Sequence, residues 1–438
     1  MARKKILRKF KNVDLYSFYF FILYFLSLTD ISVFSIKLFY FISLPLLIKT
    51  LIQLFTNDHK RFDKCIIYLF IWIVSYFLAW PNIFSITDFI KTTLGQCVLI
   101  VYLLYFYFNI PICKIKQHLN IFLYAIFIFA IIGIIQVAVF YLFDINLGVS
   151  HMDHGSLLPR PRSFASEPDW YGLICGLGVV ISITFYIMNK SNKKLMLLIF
   201  FTSFTGLLIS LTRASWVAVG VALVFMYLFL ITQSEKKKIN MVIKQFLVFG
   251  FIVFVALLII NPSVLNKLFT RLNIFGWLSN DGGASDSRMS AIQVMIIYIK
   301  QNPFFGNGVG SMNTISLDTE LLSSLGFYYE INKGSGNANI FITNLFDCGI
   351  FGTIFLIAFL FRYFSKTYLT IKKRNIYRED NIVSMACFLV SIVELIDFQF
   401  NNGLRLPFVW IIFGMACSFI NSEKKNFFSK KNISKKLL

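Results

Sequence analysis

Charge is what this sequence has least of. Only 14% of its 438 residues are Asp, Glu, Lys or Arg, against about 25% in soluble proteins. With 57% hydrophobic residues, 52 phenylalanines and a mean hydropathy of +0.72, the chain has too little polar surface to cover itself in water. The bilayer must be its solvent, which excludes a cytosolic enzyme, a secreted disulfide scaffold and a disordered tail protein. Cysteine is present seven times but never as a C-x-x-C pair, and Cys113 alone lies outside the apolar runs, in a short basic loop. That pattern suggests neither a disulfide framework nor a zinc site. The start Met1-Ala-Arg-Lys-Lys followed by an apolar run lacks a small-residue cleavage site, so it reads as a retained first span.

A helix needs about 20 mainly apolar residues to cross roughly 30 Å of hydrocarbon. Twelve such runs are present, near 13–29, 32–55, 65–80, 86–108, 119–143, 170–188, 195–211, 214–232, 242–260, 338–361, 381–399 and 405–420. They are too long for buried strands and lack the alternation of an outer-membrane barrel. With the N-terminus in the cytoplasm, roughly three quarters of the 42 basic residues fall on inner segments, while about two thirds of the 21 acids fall outside. The net charge of +21 is therefore a topology signal and not a nucleic-acid footprint. The expected fold is an all-α polytopic membrane protein of about twelve spans, one domain over 1–438, with both termini cytoplasmic and 421–438 a basic tail. Two outer segments exceed connector length, 144–169 and 261–337, and long patterned loops tend to carry function. No cytoplasmic segment is long enough for a nucleotide-binding fold, so the activity belongs to the outer face.

The first long loop ends in Arg160-Pro-Arg-Ser-Phe-Ala-Ser-Glu-Pro-Asp-Trp-Tyr-Gly172. Arginines suit bidentate capture of phosphate, and the prolines stiffen the stretch. The bland alternative is an interfacial anchor beside lipid headgroups. Arg213, in the turn between two apolar runs, needs an anionic partner or a polar cavity; it is either a second phosphate ligand or a salt-bridge partner of Glu394 or Asp397. Those two acids share one helix face and precede Arg405. In the second loop, Ser287–Asn302 has Met289, Ile292, Met295, Ile296 and Ile299 at helical spacing, which predicts an amphipathic helix on the membrane with Arg288 at its N-terminal end. Asn302-Pro-Phe-Phe-Gly-Asn-Gly-Val-Gly310 has neither a preceding strand nor Gly-Lys-Ser/Thr, so it reads as a tight turn. His151 and His154 have the spacing of a metal pair, but no third ligand is fixed.

Arg162-x-x-Phe-x-x-Glu-Pro-Asp169, Leu211-Thr-Arg-Ala-Ser215, Asn302–Gly310 and Asn339-x7-Asp-x-Gly-x-x-Gly352 together resemble successive signatures of the O-antigen polymerase/ligase superfamily, over roughly residues 120 to 420. The resemblance implies a glycosyltransferase that uses undecaprenyl-diphosphate-linked oligosaccharides as donor and acceptor at the outer face of the bacterial inner membrane, without metal or other cofactor. It also implies a chain-length-regulating partner protein. The ligase pattern has histidine before the amide that corresponds to Asn339; here Ala338 stands there, which favours a repeat-unit polymerase. On this reading Arg160, Arg162, Arg213 and Arg288 hold the diphosphate. Glu167 or Asp169 is the acceptor base, with Arg288 also placed in the catalytic group, and Asn339, Tyr328 and Tyr329 face the glycan. Alternatives are an O-antigen ligase, another envelope glycosyltransferase such as a peptidoglycan polymerase, and a lipid-linked oligosaccharide flippase, although no internal repeat supports the last.

Overall fold

The computed structural model describes residues 14–33, 36–56, 62–152, 156–188, 192–232, 240, 284–316, 318–324, 339–373 and 379–419. Helices occupy eleven of the twelve apolar runs; the remaining run, 242–260, lies outside the described residues, as does the predicted basic tail. In chain order they are α1 (Leu15–Ser27), α2 (Leu38–Thr56), α3 (Lys64–Leu78), α4 (Ile86–Asn109), α5 (Ile112–Phe143), α6 (Pro168–Met188), α7 (Lys193–Ile209) and α8 (Arg213–Thr232). In the second long loop lie α9 (Ala284–Gln301), α10 (Ser311–Ile315) and α11 (Thr319–Ser324), followed by α12 (Ile340–Lys373), α13 (Glu379–Asp397) and α14 (Pro407–Phe419). Six of these are long and apolar enough to cross a membrane: α2, α4, α5, α6, α8 and α12. The chain is an all-α polytopic membrane protein. Among the described residues the strands form only two small antiparallel pairs, one of them Ser150–Met152 with Ser156–Arg160 inside the first long loop.

The helices are apolar on nearly every side, as expected of segments solvated by lipid. Polarity therefore does not mark the core, and the most enclosed helix is recognised by its small residues. On α6 every residue of the apolar stretch is enclosed by protein. Its small residues permit this: a Cβ on Gly172 would lie 2.6 Å from Ser210 Oγ, and one on Gly178 would lie 2.5 Å from Ser203 Oγ. Close backbone approach through small residues is the usual means of packing helices in a bilayer. Around α6 stand α5, α7, α8 and α13. A second group forms where α3 runs against α12, with Trp72 stacked on Trp410 of α14 at 6.0 Å between ring centroids. The periphery is lipid-facing: α2 leaves Phe41, Leu44, Ile48 and Ile52 outward along one stripe.

Two ends of the bundle follow from the alternating helix directions. At one end Asp63 caps α3 and is paired with Arg362 of α12 at 2.9 Å, while His118 of α5 is hydrogen-bonded to Tyr24 and Tyr16 of α1 at 2.6 and 2.9 Å. The opposite end, the rim, holds the starts of α6, α8, α12 and α14 together with the first long loop and α9 to α11 of the second. The turn between α1 and α2 is tied to the first loop there, because Asp30 N–H donates to Phe164 O at 2.8 Å and Asp30 Oδ2 accepts from Ser166 N–H at 2.7 Å.

One predicted span is not a continuous helix. Within α12, Cys348 and Gly349 leave helical geometry, and Gly349 has φ +63° and ψ −168°, a region open essentially to glycine alone. The segment 302–310 docks into this break. Asn307 and Gly308 N–H donate to Phe346 and Asp347 O at 2.8 and 2.9 Å, and Ile350 and Phe351 N–H donate to Pro303 and Phe304 O at 2.9 and 3.2 Å. The tight turn expected from its glycines is thus also a plug that supplies hydrogen bonds the broken helix lacks, as a bilayer requires of non-helical backbone. Amphipathic α9 lies beside it, but its protein-facing side differs from the predicted stripe. Ala291, Val294, Met295 and Tyr298 are buried against Phe346 and Met312, whereas Ile296 is exposed and Ile292 and Ile299 are half-buried. The smaller Ala291 and Val294 are what let α9 approach the broken helix; Ile299 packs partly against the same cluster, and Ile296 is left outward.

Candidate functional site

The rim site is built around the turn that joins α7 to α8. Leu211 in that turn has φ +57°, a conformation that costs an ordinary L-residue roughly 1–2 kcal/mol. Several bonds hold it there. Trp216 Nε1 donates to Leu207 O at 2.8 Å, and Ser210 Oγ donates to Leu207 O at 2.6 Å. From the first long loop, Arg160 Nε donates to Ser210 O at 2.8 Å, and its Nη2 donates to Thr212 Oγ1 at 3.2 Å and to Asp169 Oδ1 at 2.6 Å. Thr212 Oγ1 lies 3.3 Å from the same carboxylate oxygen. The first loop is therefore strapped to the turn through an ion pair whose two side chains are only 16% and 17% exposed.

This geometry sorts the predicted residues. Arg160 and Asp169 are brought together and engage each other, so the first acts as a strap and the second as its anchor at the start of α6. Arg162 lies farther along the loop, where its Nε donates to Gly148 O at 3.0 Å. The neighbouring backbone is fixed by Gln136 of α5, whose Nε2 donates to Leu147 O and Ser163 O at 2.8 and 3.0 Å. Glu167 is exposed on the rim. Arg213 is half-buried at the first position of α8, with interactions of its own. A cation there opposes the helix dipole, since the free N–H groups of a helix start already favour an anion. Two residues on, Ser215 Oγ donates to Asp397 Oδ1 of α13 at 2.8 Å. Asp397 and Glu394 are fully buried, and neither oxygen of Glu394 has a hydrogen-bond partner among the described residues.

Asn339, expected to face glycan, caps α12: its Oδ1 accepts from Phe341 and Ile342 N–H at 2.9 and 3.1 Å, and its Nδ2 donates to Gln399 O at 3.1 Å. Arg288 is on α9, and its side chain lies outside the described residues, as do Tyr328, Tyr329 and His154. Among the described residues no three His, Cys, Asp or Glu side chains gather as a metal site would.

Sequence reasoning missed one feature entirely. A polar cleft between α3, α4, α12 and the short turn Gly403–Arg405 is lined by Trp72, Tyr76, Gln96, Asn344, Asp347 and Arg405, among others. Asp347 stood inside a quoted motif and Arg405 beside the next apolar run, but no spacing rule joins positions so far apart.

Residues 198–357 match a family model described as O-Antigen ligase. This stretch, a little over a third of the chain, is similar to that family. It runs from α7 through the strapped turn, α9 and the plug to the upper half of α12, so it contains Arg213, Arg288, Asn339 and Asp347. It begins beyond Arg160 and Asp169. The match supports lipid-linked glycan processing by glycosyl transfer and is common to polymerases and ligases. No curated protein matches the chain by sequence.

Proposed function

We propose that the protein is a polysaccharide polymerase that transfers a growing glycan from undecaprenyl diphosphate to the next lipid-linked repeat unit at the outer face of the bacterial cytoplasmic membrane. The observation that carries this reading is the strapped turn: Arg160 and Asp169 fix the first loop onto the turn that presents Arg213 at a helix start. That position combines a guanidinium with the start of a helix, and both attract an anion. In the reaction the acceptor hydroxyl oxygen bonds to the anomeric carbon while the bond from that carbon to the phosphate oxygen breaks, and the diphosphate leaves with the electron pair. Arg213, with Arg162 and Arg288, stabilises the charge that develops on the departing diphosphate. Arg160 serves by holding the turn. The hydroxyl proton goes to a rim carboxylate. That carboxylate is Glu167 or Asp169; Asp169 also holds Arg160 and Thr212, and Glu167 has interactions of its own. The site requires no metal in this scheme, and a chain-length regulator is its expected partner.

A ligase reading shares the same chemistry. What favours a polymerase is Ala338, which occupies the place of the ligase histidine. The test is the surface polysaccharide of cells lacking this protein. A single repeat unit still attached to its carrier or acceptor, with no ladder, is expected of a lost polymerase. Loss of all surface glycan points to export, and loss of transfer to lipid A core with polymer still made points to ligation.

A further inference from the structure

The cleft beside the broken helix is a separate site from the strapped turn. Its walls are α3, α4 and α12, whereas Arg213 and the strap belong to α6, α7 and α8. Among the described residues no hydrogen bond or ion pair engages the side chains of Tyr76, Thr92, Asp347 or Arg405, all of which line it. Gln96 Nε2 reaches Leu404 O at 3.4 Å, but its buried Oε1, also at the cleft, has no partner. Five groups with unused hydrogen-bonding capacity thus converge on one space, although Tyr76 is 3% and Asp347 6% exposed. Polar groups buried this deeply are ordinarily satisfied, so something absent from the protein completes them.

The free space is about 10 Å³, enough for the centre of one water or one hydroxyl group. The charges select further. Asp347 and Arg405 together are neutral, and a carboxylate in the wall repels phosphate, so the cleft does not suit the diphosphate. A hydroxyl suits it, because it can donate to Asp347 or Gln96 Oε1 while accepting from Arg405, Tyr76 or Thr92. Arg405 is only half-buried, which leaves the cleft open on its side. The plug sets the depth: Gly308 N–H donates to the backbone oxygen of Asp347 itself at 2.9 Å.

Resting on the polymerase reading, we propose that this cleft is a saccharide subsite in which Asp347 and Arg405 bind one ring hydroxyl of a lipid-linked glycan. Acceptor and donor glycans present the same group, and kinetics tell them apart. The experiment uses the full chain in lipid nanodiscs, free of sugar-headed detergent. Its binding arm measures the lipid-free oligosaccharide repeat unit, prepared from the host's own polysaccharide, against wild type, Asp347→Ala, Arg405→Gln and Tyr76→Phe. The first two weaken binding by about tenfold or more, and Tyr76→Phe weakens it about threefold while removing only a hydroxyl, so it serves if a charge change prevents folding. In the kinetic arm the same variants raise KM for one lipid-linked substrate by a similar factor with kcat within about twofold, and the substrate affected is the one whose hydroxyl the cleft holds. Oligosaccharide binding equal to wild type in Tyr76→Phe and in whichever charge variants fold shows that the cleft holds only water and overturns the proposal, as does a wild type that binds no oligosaccharide. If wild type binds, the variants weaken it, and yet no chain extension occurs, the subsite stands and the polymerase reading falls.

Discussion

Replacing Arg160 by alanine separates a residue that holds the site's shape from one that holds its substrate. The substitution removes an ion pair at 2.6 Å and donors to Ser210 O at 2.8 Å and Thr212 Oγ1 at 3.2 Å. It also takes the Arg160 cation away from the Asp169 carboxylate, which is 17% exposed. Breaking a fully buried pair from one side costs about 3–5 kcal/mol. Partial exposure lets water screen that carboxylate, so about 2–3 kcal/mol is expected here. At about 2 °C per kcal/mol for a large chain, the melting temperature falls by about 5 °C. The assay is thermal unfolding of the purified protein in nanodiscs, with Arg160→Ala, Asp169→Ala and the double variant compared. Because the two single variants break the same pair, the double variant loses less than the sum of their two losses. A melting temperature unchanged by Arg160→Ala, together with lost chain extension, refutes the strap and returns Arg160 to direct contact with the diphosphate.

Arg213→Ala abolishes repeat-unit ladders in cells while protein abundance stays normal; a wild-type ladder from it removes the diphosphate assignment. Ser215→Ala removes the hydroxyl that donates to Asp397 Oδ1 at 2.8 Å and destabilises by about 1–3 kcal/mol, read as a lower melting temperature. Gly349→Ala places a Cβ 2.3 Å from Phe304 O at φ +63°, so the plug and helix cannot both keep their positions; about 3 kcal/mol or more is lost and expression drops. Asp30, in the turn between α1 and α2, is pushed up by burial, but the pairing with Lys37 and the bonds to Ser166 prevail and hold it below its ordinary value of 3.8. Its contribution is therefore full above pH 3.8 and lost as pH falls through the lower folded value, so Asp30→Asn removes part of the acid dependence of unfolding.

The spans were legible because hydropathy and length decide them: eleven predicted runs are helices, and the one not described, 242–260, is the exception. Between those runs, 284–324 holds only the shorter or more polar α9, α10 and α11 among the described residues. The break in α12 was not legible, since Cys348 and Gly349 sit in a run apolar enough to span, and only the backbone bonds from 303–308 make the break stable. The α9 stripe was read from the largest side chains, whereas packing against the broken helix selects the small Ala291 and Val294. At the rim, the motif placed Arg160 and Asp169 in one short stretch, but their pairing across the start of α6 is set by the fold and not by residue type. Asp347 and Arg405 lie 58 positions apart and meet only through the tertiary fold.

The central claim is most directly tested with purified protein and a single defined lipid-linked repeat unit as its only saccharide. The account predicts a ladder of longer glycans still attached to undecaprenyl diphosphate, formed with a chelator present and absent in Arg213→Ala. A repeat unit that stays unextended, yet is transferred when lipid A core is supplied, contradicts it.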